Sequence, residues 1–146
     1  FQAQKYLYTD ADKDKQRQEM IKFSTGDIYG KLESKDAKSK GNKSTMKRIG
    51  IKLNQTLWNE NNIQVMKEGI KKRAHTDVVF KEILKESLKN NYYLLHYEGA
   101  RGGFWGGYIK NKKHPGTDII KDDTDPIILV GNNMLGILLM DLRENI

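Results

Sequence analysis

The sequence predicts an α+β fold, a compact and mainly helical single domain over residues 1–146 with a few short strands. Three observations carry that prediction. Apolar residues recur at helical spacing through Ile63, Met66 and Ile70, and again through Phe80, Ile83, Leu84 and Leu88. Two short runs, Tyr92 to Tyr97 and Ile127 to Val130, have the aromatic and β-branched character of strands. The stretch from Met134 to about Glu144 is apolar nearly all round, the pattern of a central buried helix.

Taken in order, Phe1 to Tyr8 reads as the end of a helix, with Phe1, Lys5 and Tyr8 on one face. The chain therefore opens inside an element, and an N-terminal strand segment is expected upstream of Phe1. Asp10 or Asp12 caps a second short helix running through Ile21 and Lys22. Ser24 to Gly30 carries two glycines and reads as a loop. Lys35 to Asn42 forms a short basic helix closed by Gly41. A longer helix begins at Asn61 or Asn62 and continues through Arg73; Asp77 caps the next one, which the Asn90-Asn91 pair ends. Glycines at 99, 102, 103, 106 and 107 then surround Phe104 and Trp105, and residues 110–126 form a polar surface insertion. Gly131-Asn132-Asn133 leads into the last helix.

Composition narrows the chemistry. No run approaches the roughly 20 apolar residues of a membrane span; none is longer than Ile137-Leu138-Leu139-Met140, so no membrane role is expected. The chain has no cysteine, which excludes disulfides, thiolate catalysis and Cys-ligated zinc or iron–sulfur sites and fits a reducing, cytoplasmic setting. His75, His96 and His114 lack any metal-ligand spacing, and no metal is expected. Walker, GxSxG and GxGxxG devices are absent too. Lys and Arg number 26 against 19 acids, a net charge of +7, which favours polyanionic partners. Seven of those cations (Lys35, Lys38, Lys40, Lys43, Lys47, Arg48 and Lys52) face a single acid, Asp36, between residues 35 and 52. A solvated basic surface and a nucleic-acid-binding face both fit that run.

Two glycine clusters remain. Glu98 to Gly107 permits close backbone approach to a ligand and sets Arg101 and Trp105 beside it, one suited to phosphate and one to stacking. A glycine-rich turn around a core tryptophan accounts for the same residues. Gly131-Asn132-Asn133 stands at a helix N-terminus, where free N–H groups favour an anion, or where an Asn simply caps the helix.

Four segments, in order, resemble the NADAR family, whose bacterial members are called YbiA-like. Phe1-Gln2-Ala3-Gln4-Lys5-Tyr6 is similar to its FQAxKF helix, and Asp36-Ala37-Lys38 with Gly41-Asn42-Lys43 to its EAKxxGRK segment. Trp58 followed by Val65-Met66 is similar to a W…VM pattern. Phe104-Trp105-Gly106, Gly131-Asn132-Asn133-Met134-Leu135-Gly136, Leu138-Leu139-Met140 and Arg143 resemble WG…GxNxLGxLLMxxR.

The resemblance implies an N-glycosidase that hydrolyses the bond between a base and a phosphorylated ribose or ADP-ribose. Riboflavin-pathway intermediates and ADP-ribosyl-guanine, including ADP-ribosylated DNA, are the substrates it suggests; no cofactor is implied. Gln2 and Lys5 are expected to line the pocket, Trp58 and Trp105 to stack on the base, and Asn133 with the helix behind it to bind phosphate. Arg73 stands where the family has the lysine of a KF pair, and Arg101 is a further phosphate ligand. The family's glutamate falls three residues before Phe1, and Gly102 occupies the position of its acid before Trp-Gly. Glu98 is the nearest acid and the catalytic candidate. The alternative is a non-catalytic module that binds ADP-ribose or a nucleotide.

Overall fold

The computed structural model describes residues 1–99, 102–110 and 128–146. Arg101 and most of the polar insertion lie outside the described residues. The described chain is helical with a small two-stranded sheet, the α+β class expected. It divides into two units, Phe1–Gly69 and Ile70–Ile146. No helix among the described residues is long and apolar enough to cross a membrane.

The first unit opens with a 3-10 helix, Ala3–Tyr8, followed by α1 (Lys13–Ile21), α2 (Ser34–Lys40), α3 (Lys43–Arg48) and the start of α4 (Gln55–Thr76). Asp12 caps α1 by accepting the Lys15 N–H at 2.8 Å, one of the two candidates the sequence offered. Gly41 closes α2 as expected. α3 is a helix that the sequence pattern does not mark, and Asn42 starts it by accepting the Thr45 N–H. α4 opens earlier than expected. Asn54 accepts the Leu57 N–H at 3.0 Å, so the helix begins about two turns earlier than the Asn61-Asn62 pair and includes Trp58. Ile63, placed on its apolar stripe, is exposed, and Trp58 and Val65 take the inner positions.

The core of this unit is Tyr6, Met46, Ile51, Leu53 and Trp58, with Phe1, Tyr8, Ala11, Met20, Phe23 and Val65 packed around it. Main-chain pairing of Asp10 with Lys52 and of Asn54 with Tyr8 ties the 3-10 helix to the segment that starts α4. Glu19 is 1% exposed in α1 and receives Lys15 at 3.1 Å and Lys22 at 2.8 Å. Burial pushes its carboxyl up, but the hydrogen bonds and charges of Lys22 and Lys15 outweigh that and hold it below the ordinary value of 4.5. Burial, with Glu19 and Tyr29 nearby, raises the Tyr6 phenol to about 12.

A carboxyl lowered by folding stabilises the protein above its unfolded value, and that contribution is lost as pH falls through the folded one. Glu19→Gln should therefore cost about 1.5–3 kcal/mol at neutral pH, the range for hydrogen bonds to charged groups. The gap to wild type should close below pH 4.5. Melting temperatures of both proteins against pH measure this; a gap that stays constant into acid would remove the ion pair from the account.

The second unit holds the end of α4, α5 (Val78–Lys89), β1 (Tyr108–Ile109), β2 (Leu129–Val130) and α6 (Met134–Arg143). Asp77 caps α5 through the Phe80 N–H at 2.9 Å, and Asn91 ends it with φ +53°, both as expected. The inner line of α5 is Leu84 and Ser87, flanked by Phe80 and Leu88. Ile83 is 60% exposed. A serine holds an inner position because its hydroxyl donates to Leu84 O and it receives Arg143, partners a hydropathy pattern does not register.

β1 and β2 pair antiparallel, Tyr108 with Val130 and Ile109 with Leu129. The strand expected over Tyr92 to Tyr97 does not form; only Tyr97 makes an isolated bridge, parallel, to Gly107. Its main-chain groups have other partners. Tyr92 N–H donates to Ser87 O, Tyr92 O accepts from Arg143, and Leu94 O and His96 N–H meet the Asn133 side chain. α6 is not buried all round. Gly136, Leu138 and Arg143 face inward, while Ile137 and Asp141, one turn apart, face out.

Candidate functional site

A 3-10 helix has three residues per turn, so side chains three apart stack along one side. In Ala3–Tyr8 this sorts the chain into three strips. Tyr6 and Thr9 point to the core side, Gln4 and Leu7 lie on the outer side, and Gln2, Lys5 and Tyr8 share the third. That third strip meets Trp58. The Lys5 ammonium lies 5.6 Å from the Trp58 ring centroid and 5.8 Å from that of Phe1, within cation–π range. Two rings pack against that of Trp58, Tyr8 at 5.3 Å and Phe1 at 5.0 Å.

Gln2 completes the group. Its side chain lies against Gly41, where a Cβ would come within 2.6 Å of the carboxamide oxygen. That oxygen is buried and has no hydrogen-bond partner among the described residues. Buried polar atoms without partners are uncommon in native proteins, and one beside a partly desolvated ammonium is suited to a ligand hydroxyl. Burial lowers the Lys5 ammonium below 10.5, and the charge of Lys38 adds to the effect. Among the described residues Lys5 pairs with no carboxylate. An anion placed there would relieve both burdens. The structure thus brings together three of the expected residues, Gln2, Lys5 and Trp58, and adds Lys38 and Gly41.

Trp58 occupies a different position from the one foreseen. It is 5% exposed, with Phe1, Tyr8 and Lys5 against it, so it floors the cation instead of presenting an open face to a base. Lys38 and Gly41 both fall in the segment that resembles EAKxxGRK, but neither the basic run nor the helix end at Gly41 marks them as neighbours of Gln2 and Lys5. A separate open groove of about 620 Å³, lined by Ala3, Leu7, Lys13, Arg17, Met20 and Ile21 among others, shares no residue with this group. Its lining also carries Gln4, Lys13, Gln16, Arg17 and Ser24, but the Lys5 cluster, with a buried carboxamide oxygen that lacks a partner among the described residues, is the better chemical candidate.

The remaining candidates belong to the second unit. Asn133 is 0% exposed at φ +48°, a left-handed conformation that Asn tolerates better than most residues. Its side chain accepts the His96 N–H at 2.9 Å and donates to Leu94 O at 2.8 Å and to Tyr93 Oη at 3.2 Å. Gly136 makes room for it, since a Cβ there would lie 2.1 Å from Leu94 O and 2.4 Å from the Asn133 carboxamide nitrogen. Asn133 is therefore a structural tie, its carboxamide engaged by His96, Leu94 and Tyr93 within the fold. The N–H groups that the sequence offered to an anion are also taken. Asn132, Asn133, Met134 and Leu135 donate to the carbonyls of Gly103, Gly106, Phe104 and Trp105 respectively. The two glycine clusters meet each other: the loop of one caps the helix of the other.

Glu98 is exposed and accepts the Gly106 N–H at 3.1 Å. Its carboxylate lies against Gly103, where any Cβ would collide with it. The catalytic candidate thus holds the glycine turn in shape. Trp105 is half-buried, edge-on to Phe104 at 5.1 Å. Arg73 pairs with Asp77 at 3.1 Å and lies 4.4 Å over the Phe80 ring, bracing the junction of α4 and α5 on an exposed surface. Arg101 lies outside the described residues. Among those described, no group of three or more His, Asp or Glu side chains is placed to hold a metal ion. No family model, curated protein or solved structure matches the chain.

Proposed function

We propose that this chain is a NADAR-type, YbiA-like N-glycosidase that hydrolyses the bond between a base and a phosphorylated ribose or ADP-ribose, working in the cytoplasm without a cofactor. The observation that carries the reading is the Gln2–Lys5–Trp58 group. The segment resembling the family's first helix supplies a partly desolvated cation and an orphan carboxamide oxygen, three residues apart on one side of a short 3-10 helix. A phosphate or ribose oxygen suits the cation, and a ribose hydroxyl suits the carboxamide.

In the reaction the C1′–N bond breaks, its electron pair and a proton go to the base, and the oxygen of water bonds to C1′. The balance requires no oxidant or metal. Anchoring the phosphate at Lys5 orients C1′, which is the contribution expected of a binding residue. Because burial and Lys38 lower the Lys5 ammonium, its hold on phosphate should weaken at a lower pH than an ordinary lysine's would.

Incubation with ADP-ribosylated guanine DNA and with ribosylated riboflavin precursors, followed by mass spectrometry of released base, tests the activity. Lys5→Met should raise the KM or Kd for a ribose-phosphate ligand about 10- to 100-fold, the loss of a charge-assisted contact worth roughly 1.5–3 kcal/mol. Lys5→Arg should recover part of it. Unchanged affinity in the methionine variant would take Lys5 out of the pocket.

One observation favours a second reading, a module that binds ADP-ribose or a nucleotide without cleaving it. Glu98, the acid nearest the expected position, serves the glycine turn through Gly106. Tight binding with no base released from either substrate would support the module.

A further inference from the structure

We propose that the outer face of α2 and α3 is a docking surface for the sugar–phosphate backbone of a nucleic acid. The two short helices are pinned back to back. The Thr45 hydroxyl donates to Ser39 O at 2.8 Å, and Thr45 and Met46 turn inward. Lys35, Lys38, Lys43, Lys47, Arg48 and Lys52 are left exposed. None of the six forms an ion pair among the described residues, although carboxylates elsewhere hold Lys15, Lys22, Lys85 and Lys89. The one acid in the segment is Asp36. Like charges gathered without counter-charges repel one another, and a partner of opposite sign removes that cost.

The chemistry of the face distinguishes among anionic partners. From Ser34 to Lys52 one large apolar side chain, Ile49, stands exposed. A helix that lies on a membrane needs a continuous apolar face to enter the headgroup region, and a single residue does not make one. A polyphosphate backbone needs only cations spread along a surface. The face is also continuous with the Lys5 group. Gly41, at the end of α2, touches Gln2; the Tyr6 hydroxyl donates to Lys40 O at 2.9 Å; and Lys38 is near enough to act on the Lys5 ammonium. A strand lying on α2 and α3 would pass beside that pocket. The proposal concerns binding alone and does not depend on glycosidase activity.

The test uses the full chain with unmodified fluorescent oligonucleotides, single-stranded and duplex, measured by anisotropy across a salt series. Log Kd against log salt should be linear, with a slope magnitude of about 0.7 to 0.9 per phosphate neutralised. Lys43→Glu combined with Lys47→Glu, both outside the pocket and checked by circular dichroism, should weaken binding at least about tenfold and lower the slope by about two. Phosphatidylserine vesicles and polyglutamate of matched charge serve as competitors, and neither should displace the oligonucleotide at equal charge. The proposal fails if the chain does not bind oligonucleotides at low salt, if the double variant binds like wild type, or if vesicles or polyglutamate compete equally.

Discussion

Trp58→Ala should destabilise the protein by about 3–5 kcal/mol, the usual cost of truncating a buried large aromatic residue. At 5% exposure Trp58 is one of five residues forming the core of the Phe1–Gly69 unit, and its loss leaves a cavity bordered by Phe1 and Tyr8. The same change removes the surface beneath the Lys5 ammonium. Affinity for a phosphorylated ribose should therefore fall together with stability. Trp58→Phe keeps a ring in place and should lose much less of both. Denaturant midpoints and ligand titrations on the three proteins separate the possibilities. An alanine variant with wild-type stability but no ligand binding would return Trp58 to the role of an open stacking platform.

Asn133→Ala should be comparably severe for the Ile70–Ile146 unit. It strips the partner from the His96 N–H and from Leu94 O, both partly buried, at a cost of up to about 1–3 kcal/mol each when left unsatisfied. It also leaves an ordinary L-residue at φ +48°, adding roughly 1–2 kcal/mol of left-handed strain. Asn133→Asp isolates the donor. The new carboxylate can still accept from His96 but opposes Leu94 O, oxygen against oxygen. That variant should lose less stability at pH 4 than at pH 7, because protonation restores a donor toward Leu94. Thermal unfolding at the two pH values reads this directly. If the alanine variant unfolds like wild type, Asn133 is not the tie that the hydrogen bonds describe.

Both residues were singled out in the sequence, and both lie where a pattern alone would misjudge their work. A tryptophan near a helix start and an asparagine beside a glycine are typical of ligand sites and equally typical of core and cap positions. Burial decides between these, and burial is a property of the assembled chain. Lys5 is the opposite case. Its face was readable from spacing, since Phe1, Lys5 and Tyr8 were expected on one side and do gather at Trp58.

What the sequence determined by itself was local. The caps at Asp12 and Asp77 follow from side chains reaching main-chain groups three residues away, and the stops at Gly41 and Asn91 from residue types that favour helix ends. It also determined the density of positive charge between residues 35 and 52. The tertiary structure decided which of those local features face a partner. The Tyr92–Tyr97 segment has strand chemistry but no strand, because Asn133 and Arg143, some 40 to 50 residues along the chain, take main-chain groups a neighbouring strand would have used. The glycine loop and the last helix, each open to a ligand when read alone, satisfy one another. Among the described residues, only the Lys5 group combines a desolvated cation with an orphan acceptor. Hydrogen-bond capacity is written in the residues; which groups use it up depends on where the folded chain brings distant segments together.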